Sequence, residues 1–348
     1  MRHRFHGLLY GMVFATLCLI YVPLCLLRAQ TLQQTAQLLD SLQELPVGLG
    51  VLPRLEAPAD NPQSPAKIEL GRKLFFSKDL SGDRSMSCAS CHNPANGFSD
   101  AKRRAVGSGG KELSRHTPSV LNAAYDSYQF WDGRARSLEQ QAAGPITSTE
   151  EMNLPDETEL VRRLNSDPTY RQGFEAVFAE APSLKNVSKA IAAYERTLII
   201  ANSRFDRYAA GDKNALTLHE KNGLVLFIAE ARCSRCHNGP NFTDNKFQNT
   251  GVGKGDEGRF AVTQEESDRG AFKTPGLRNV AAHAPYMHDG SLATLEAVVD
   301  YYDRGGDDKK GKSPFVSKIG LTLEEKQDLV AFLKTLTGSL APANRPSH

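Results

Sequence analysis

Leucines at 32, 38, 39, 42 and 45 recur at helical spacing in QTLQQTAQLLDSLQEL, with glutamines between them, and predict a helix over residues 30–45. The next stretch, LPVGLGVLPRLEAPADNPQSP, has no such period and reads as a Pro-rich linker. Ser64 and Pro65 mark a helix start, and AKIELGRKLFF then sets Ile68, Leu74 and Phe75 on one side. Helical spacing also predicts helices at ETELVRRLN, YRQGFEAVFAE, VSKAIAAYERTLI and LTLHEKNGLVLFIAEA. The last helix, LTLEEKQDLVAFLKTLTG, opens on a capping box of Thr322 and Glu325 and stops at Gly338. No alternating run of five or more residues predicts a strand. Two aperiodic stretches, 93–130 and 238–294, are rich in Gly, Asn and Pro. Loops that long are unusual in a compact domain unless they wrap something. The expectation is an all-α fold with long irregular loops.

One unit occurs twice. GRKLFF precedes CASCH, and GLVLFI precedes CSRCH. Each copy is Gly-x-x-Leu-Phe, a short spacer and Cys-x-x-Cys-His, which suggests a duplicated domain. At 348 residues the chain is long enough for two cores.

The N-terminus carries Arg2, His3, Arg4 and His6, then an uncharged run from Gly7 to Leu27. This reads as an export signal or a membrane anchor, with the remainder outside the cytoplasm. The run is long enough to span a bilayer, and LLRAQT is a weak cleavage site, which favours an anchor. Cys18 and Cys25 lie inside the run as apolar filler. The first 30 residues hold Arg2, Arg4 and Arg28 and no acid; the rest carries 39 bases against 40 acids. That near-neutral body has no electrostatic footprint for nucleic acid.

Cys88, Cys91 and His92 form the first Cys-x-x-Cys-His, and Cys233, Cys236 and His237 the second. This is the attachment signature of haem c. Two thiols three residues apart share one side of a helical turn and add to the two vinyl groups of one porphyrin. The following histidine reaches the iron, and the tether makes that bond effectively intramolecular. Zinc would need all four thiolates together, but the pairs lie 142 residues apart, unlike a ribbon site. Disulfides at this spacing are mostly redox-active, and a histidine follows in both copies of a chain that reads as exported, where haem c is made. Two covalent haems are expected. They would fill two cytochrome c-like domains, 65–205 and 206–348, after a signal or anchor at 1–30 and a helix with linker at 31–64.

Over roughly residues 65–340 the chain resembles the bacterial di-haem cytochrome c peroxidases and their relative MauG. The resemblance rests on the two haem motifs, RHTPSVLN, FWDGRARSLEQQAAGPI, EEMN and TPGLRNVAAHAPYMHDGSLATLEAVVDYY. It implies that Trp131, the single tryptophan, lies between the haems and passes electrons. It implies that Glu151 takes a proton from hydrogen peroxide at the first haem and returns it to the departing oxygen, while Gln141 orients the peroxide. Alone, Glu150, Glu151 and Gln141 would read as a solvated face.

Three departures from the family pattern shape the expectation. Ser108 stands where many members carry a histidine that caps the first iron. A hydroxyl is a poor ligand, so the first haem is expected open without reductive activation, with His116 the nearest rival ligand. At the second haem, Tyr302 takes the place of a methionine in typical peroxidases and matches the tyrosine of MauG. An anionic phenolate lowers the potential and methionine raises it. The alternative is that Tyr301 and Tyr302 are core aromatics and Met287 ligates; His288 is expected near the tryptophan and off the iron. Finally, His116 replaces an asparagine of the family's calcium site, where imidazole is a poor substitute for oxygen. The remaining calcium ligands would be the backbone carbonyls of His283 and Pro285.

The resemblance implies an enzyme that reduces hydrogen peroxide with electrons from a small periplasmic donor, a cytochrome c or a cupredoxin. A MauG-like enzyme oxidising side chains of a partner protein is the second reading. Tyr302 favours it, and Ala231, where MauG has a surface tryptophan, disfavours it. A di-haem electron carrier without substrate is the third. The resemblance also implies a homodimer.

Overall fold

The computed structural model describes residues 30–307 and 310–341. The apolar run 7–27, with Cys18 and Cys25, lies outside them. No helix among the described residues is long and apolar enough to cross a membrane.

Among the described residues the fold is helical with four two-residue strands. The helices are α1 (30–41), α2 (Pro65–Phe76), α3 (Cys88–Cys91), α4 (Leu138–Thr147), α5 (Glu157–Ser166) and α6 (Pro168–Phe178). They continue with α7 (Leu184–Glu195), α8 (Arg204–Ala209), α9 (Leu218–Ile228), α10 (Phe260–Thr263), α11 (Leu295–Asp303) and α12 (Leu323–Lys334). β1 (Ile200–Ala201) pairs antiparallel with β4 (Ser339–Leu340), and β2 (Phe247–Gln248) with β3 (Phe272–Lys273).

Most predicted helices stand within a few residues of their bounds. Three differ. Residues 42–45 leave the first helix. The α7 pattern was read through Ile199, but the helix stops at Glu195 because Thr197 turns its hydroxyl onto Tyr194 O and Ile200 joins a strand. Helices α4 and α11 carried no prediction. α4 hides behind Gly144 and an internal Pro145, whose lost N–H is tolerable near the helix end.

Two separate cores form. One gathers α2, α5, α6 and α7 around Leu74, Phe75, Leu160, Phe174 and Ile191. The other gathers α1, α8, α9, α11 and α12 around Phe205, Leu224, Phe227, Val299 and Phe332. The repeated glycine of Gly-x-x-Leu-Phe now has its reason. In α2 a Cβ on Gly71 would sit 1.8 Å from Ala190 O of α7, and in α9 one on Gly223 would sit 2.0 Å from Asp328 O of α12. Each half is built on one helix crossing so close that only a bare Cα fits.

These contacts register α7 on α12. Tyr194 Cβ faces Gly71 as Phe332 Cβ faces Gly223. Thr197 and Thr335 each donate to a carbonyl three residues back, Tyr194 O and Phe332 O. Leu198 O and Leu336 O accept from Asn122 N and Asn279 N.

The segment read as a linker is a strap between the halves. α1 buries Leu32, Ala36 and Leu39 in the second core, and Asp40 accepts from Tyr208 and Lys221. Gly50 O then accepts from Arg278, Pro53 O from Tyr125, and Asn61 donates to Glu139 and Lys189 O of the first half.

Candidate functional site

The first motif occupies α3, where Ser87 and Ser90 cap each other reciprocally and His92 follows as the C-cap. His92 Nδ1 lies 3.2 Å from Phe98 O, and Pro118 O is within reach of the ring. The second motif repeats this: His237 Nδ1 lies 3.0 Å from Phe242 O, with Pro275 O beside it. Bonding Nδ1–H to a carbonyl leaves Nε2 as the lone-pair nitrogen, the tautomer an iron ligand needs. Burial holds both imidazoles below the ordinary histidine range, hence neutral. All four thiols are free, and burial pushes Cys91 and Cys236 up to about 11.

One cavity of about 680 Å³ is lined by both Cys-Cys-His sets. Mainly apolar side chains surround it, among them Val120, Ile191, Phe227 and Leu329. Buried polar atoms on its wall lack partners: Asn122 Nδ2, Asn241 Oδ1 and Glu195 Oε2. Paired free thiols, lone-pair imidazoles and unpaired polar atoms on an apolar shell are the donor set a haem requires. Zinc does not fit, because among the described residues no group of three His, Cys, Asp or Glu gathers around a metal position. For the same reason no acidic calcium cluster forms there. His283 and Pro285 line the cavity, and His116 is buried with Nδ1 2.8 Å from Lys102 O and Nε2 3.4 Å from Ser99 Oγ.

Glu151, Gln141 and Pro145 line the same cavity. Ser137 caps α4 and sets Gln141 one turn into the helix. Beyond Pro145 the chain folds back: Met152 N donates to Pro145 O and Leu154 N to Ile146 O. Glu151 is then clamped, its N–H bonded to Ser148 O and its carbonyl accepting from Ser108 N at 2.7 Å. The Glu151 carboxyl is raised, chiefly by burial, against the opposing pull of Arg134. It is close enough to Cys91 to raise that thiol. Glu150 points outward to Lys111, at 2.6 Å.

Ser108 donates through Oγ to Asp83 at 2.8 Å, away from the cavity. Gly107 leaves no room for a side chain, since a Cβ would lie 1.8 Å from Glu150 O. The loop that carries a histidine in many peroxidases is therefore a brace for Glu151 here.

Trp131 lines the cavity where the halves meet. Its Nε1 donates to His116 O at 2.9 Å and its carbonyl accepts from Lys273 N of β3. The His288 ring lies 6.4 Å away, stacked on Phe272 at 3.6 Å. The charges around the indole clamp its loop. Asp132 accepts from Arg115 and Arg134, Arg115 also binds Asp256 of the other half at 2.7 Å, and Arg259 donates to Asp132 O and Gly133 O.

The two adjacent tyrosines divide. Tyr301 is buried with its hydroxyl donating to Thr250 O and accepting from Asp307 N. Tyr302 lines the cavity beside Cys233 and Cys236, and burial drives its phenol well above the ordinary range. Met287 and Ala231 also line the cavity. Sequence reading missed Arg134, the Arg115 bridge, Asn122 and Glu195. The doubled Thr-Pro at 117–118 and 274–275 was the signal for the carbonyls behind each histidine.

Residues 65–214 match the family model described as di-haem cytochrome c peroxidase. The chain is 43% identical to the methylamine utilization protein MauG of Methylorubrum extorquens, over 83% of each chain. It is 39% identical to the cytochrome c551 peroxidase of Pseudomonas aeruginosa, over 80% of each. Among solved structures it superposes with a TM-score of 0.78 on a MauG-like protein associated with microbial copper homeostasis, at 36% identity, covering 82% of this chain and 93% of that one. With the repeated motifs, the shared cavity and likeness over most of its length, the chain belongs to the di-haem cytochrome c peroxidase family.

Proposed function

We propose that this protein is a peroxidase that reduces hydrogen peroxide to water with electrons from a small redox protein. The observation that carries this is one cavity lined by both Cys-Cys-His sets and by Gln141, Glu151 and Trp131. Cys88 and Cys91 would tether one haem c with His92 as ligand, and Cys233 and Cys236 the other with His237. Once bound, the first haem supplies the iron at which the O–O bond is cleaved, and the second relays electrons to it.

The chain's own groups supply the proton chemistry. The Glu151 carboxylate would take a proton from hydrogen peroxide and return it to the oxygen that departs as water. The Gln141 amide orients the peroxide by hydrogen bonding. The brace from Ser108 N to Glu151 O holds the carboxylate in register, and Ser108 Oγ, turned to Asp83, leaves the site open without prior reduction. Trp131, fixed by His116 O and Lys273 N, carries electrons between the halves. Tyr302 would ligate the second haem's iron; the engagement of Tyr301 elsewhere supports this choice.

The electron donor is a cytochrome c or cupredoxin, the setting periplasmic, and the segment 1–30 an export signal or anchor. A homodimer is in keeping with the family. Calcium, if bound through His283 and Pro285 carbonyls, enters no step.

The test is stopped-flow oxidation of reduced cytochrome c by peroxide, beside spin-state spectra of the ferric protein. Expected are one high-spin and one low-spin haem, with turnover that slows in W131F while the spectra stay unchanged. Two low-spin haems inert to peroxide would make the protein an electron carrier. A MauG-like role is the second reading, supported by Tyr302. It predicts poor turnover with cytochrome c and oxidation of a partner protein's side chains instead.

A further inference from the structure

Glu195, the last residue of α7, has no role in the chemistry above. Its side chain lines the cavity with only 4% of the residue exposed, and Oε2 has no hydrogen-bond partner. The carboxyl lies near enough to Cys88 to raise that thiol. The duplicated architecture supplies an internal control. Gly71 faces Ala190 as Gly223 faces Asp328, so the residue five further along α7, Glu195, corresponds to Leu333 of α12. Ile191 and Leu329, one turn earlier, are apolar in both halves, and all four line the cavity. The second half thus lines its side of the cavity with a leucine where the first half presents a carboxyl. Leaving a buried carboxyl unpaired costs stability, so retaining one against an available leucine needs a use.

The charged groups around it come from three elements. Arg196 and Glu139 of α4 act on it with opposite signs and are bonded to each other at 2.6 Å. Lys67 of α2 stands behind that pair. Glu195 in turn raises Cys88 of α3 and its neighbour Tyr194. Arg196 spends Nη2 on Glu139 while its Nη1 has no partner, and burial outweighs its pull and lifts the Glu195 carboxyl to about 8.

We propose that Glu195 is the proton-coupling residue of the first haem, gaining a proton from solvent when an electron reaches that haem and releasing it when the electron leaves. The electron comes from the donor protein, and the added negative charge is balanced by one proton on the Glu195 carboxylate. The inference rests on haem attachment at Cys88 and Cys91, as proposed above.

Haem content of the purified holoprotein is read first: without a haem at Cys88 and Cys91 the attachment reading fails and this proposal falls with it, whereas with two haems bound the titration tests this proposal alone. Spectroelectrochemical titration of both haems across pH 5–9 follows, for wild type, E195Q and E195L. The first haem's potential should stay level where Glu195 is already protonated and fall as pH rises above its raised pKa, because ionised Glu195 disfavours the added electron. One proton per electron is a tenfold change per pH unit, about 59 mV. Both variants should flatten that slope and leave the second haem's slope as in wild type. An unchanged first-haem slope in both variants overturns the proposal. If neither variant retains haem, the redox-difference infrared spectrum of wild type decides. A protonated-carboxyl band must appear on reduction of the first haem, and its absence overturns the proposal.

Discussion

Glu151 has a raised carboxyl, and in the proposed role it must be ionised to accept a proton from peroxide. The sign follows directly. Activity is present above its pKa and lost as pH falls through it, at a pH higher than an ordinary glutamate would set. In E151Q the peroxide kcat/KM should drop by roughly 10²-fold or more, the scale of a lost acid–base group. The acid limb of the pH profile should vanish with it, while both haems stay attached. A variant that kept the limb would assign it to another group. Tyr302 makes a second residue-scale prediction. If Tyr302 ligates as proposed, Y302M exchanges an anionic oxygen for a neutral thioether, so the second haem's potential should rise by a measurable part of the roughly 0.8 V that axial ligation spans. Potentiometry with the first haem as internal reference reads the change. No shift would return the ligand role to Met287.

The helix crossing is the unit of each half. G71A and G223A would push a Cβ against backbone oxygen, which cannot swing away as a side-chain end can. Each should lower unfolding free energy by about 1–3 kcal/mol or more, read as a lower denaturant midpoint. The control is G50A, where a Cβ meets open space, and it should stay within about 0.5 kcal/mol. Because the crossings position Ile191 and Leu329 on the cavity wall, each glycine variant should loosen one haem and spare the other.

Across the whole molecule the halves are joined by ionic bridges as well as by the strap. Arg115 reaches both Asp132 and Asp256, and Lys273 binds Asp126 at 2.6 Å. Replacing Arg115 with leucine leaves Asp256 without its partner. The expected loss is about 1–3 kcal/mol in chemical denaturation, below the cost of orphaning a fully buried charge, because Arg134 still faces Asp132. The loop that carries Trp131 loses a clamp in the same variant, so electron transfer between the haems should slow while each haem's own spectrum is unchanged.

Much of this was legible in the linear chain because it is encoded locally. Helical spacing, the capping box at Thr322 and Glu325, and Cys-x-x-Cys-His each need neighbours only a few residues away, and backbone geometry fixes what such neighbours can do. The doubled Gly-x-x-Leu-Phe announced two similar halves. What folding alone settled were relations between distant residues: which of Tyr301 and Tyr302 faces the cavity, that Ser108 turns to Asp83, and that residues 42–64 strap the halves together. Glu195 is the sharpest case. In YERTL it reads as one more helix-end charge, and its meaning appears only when two helix crossings align it with Leu333. Burial and partner are properties of three-dimensional packing, and a local pattern carries no information about them.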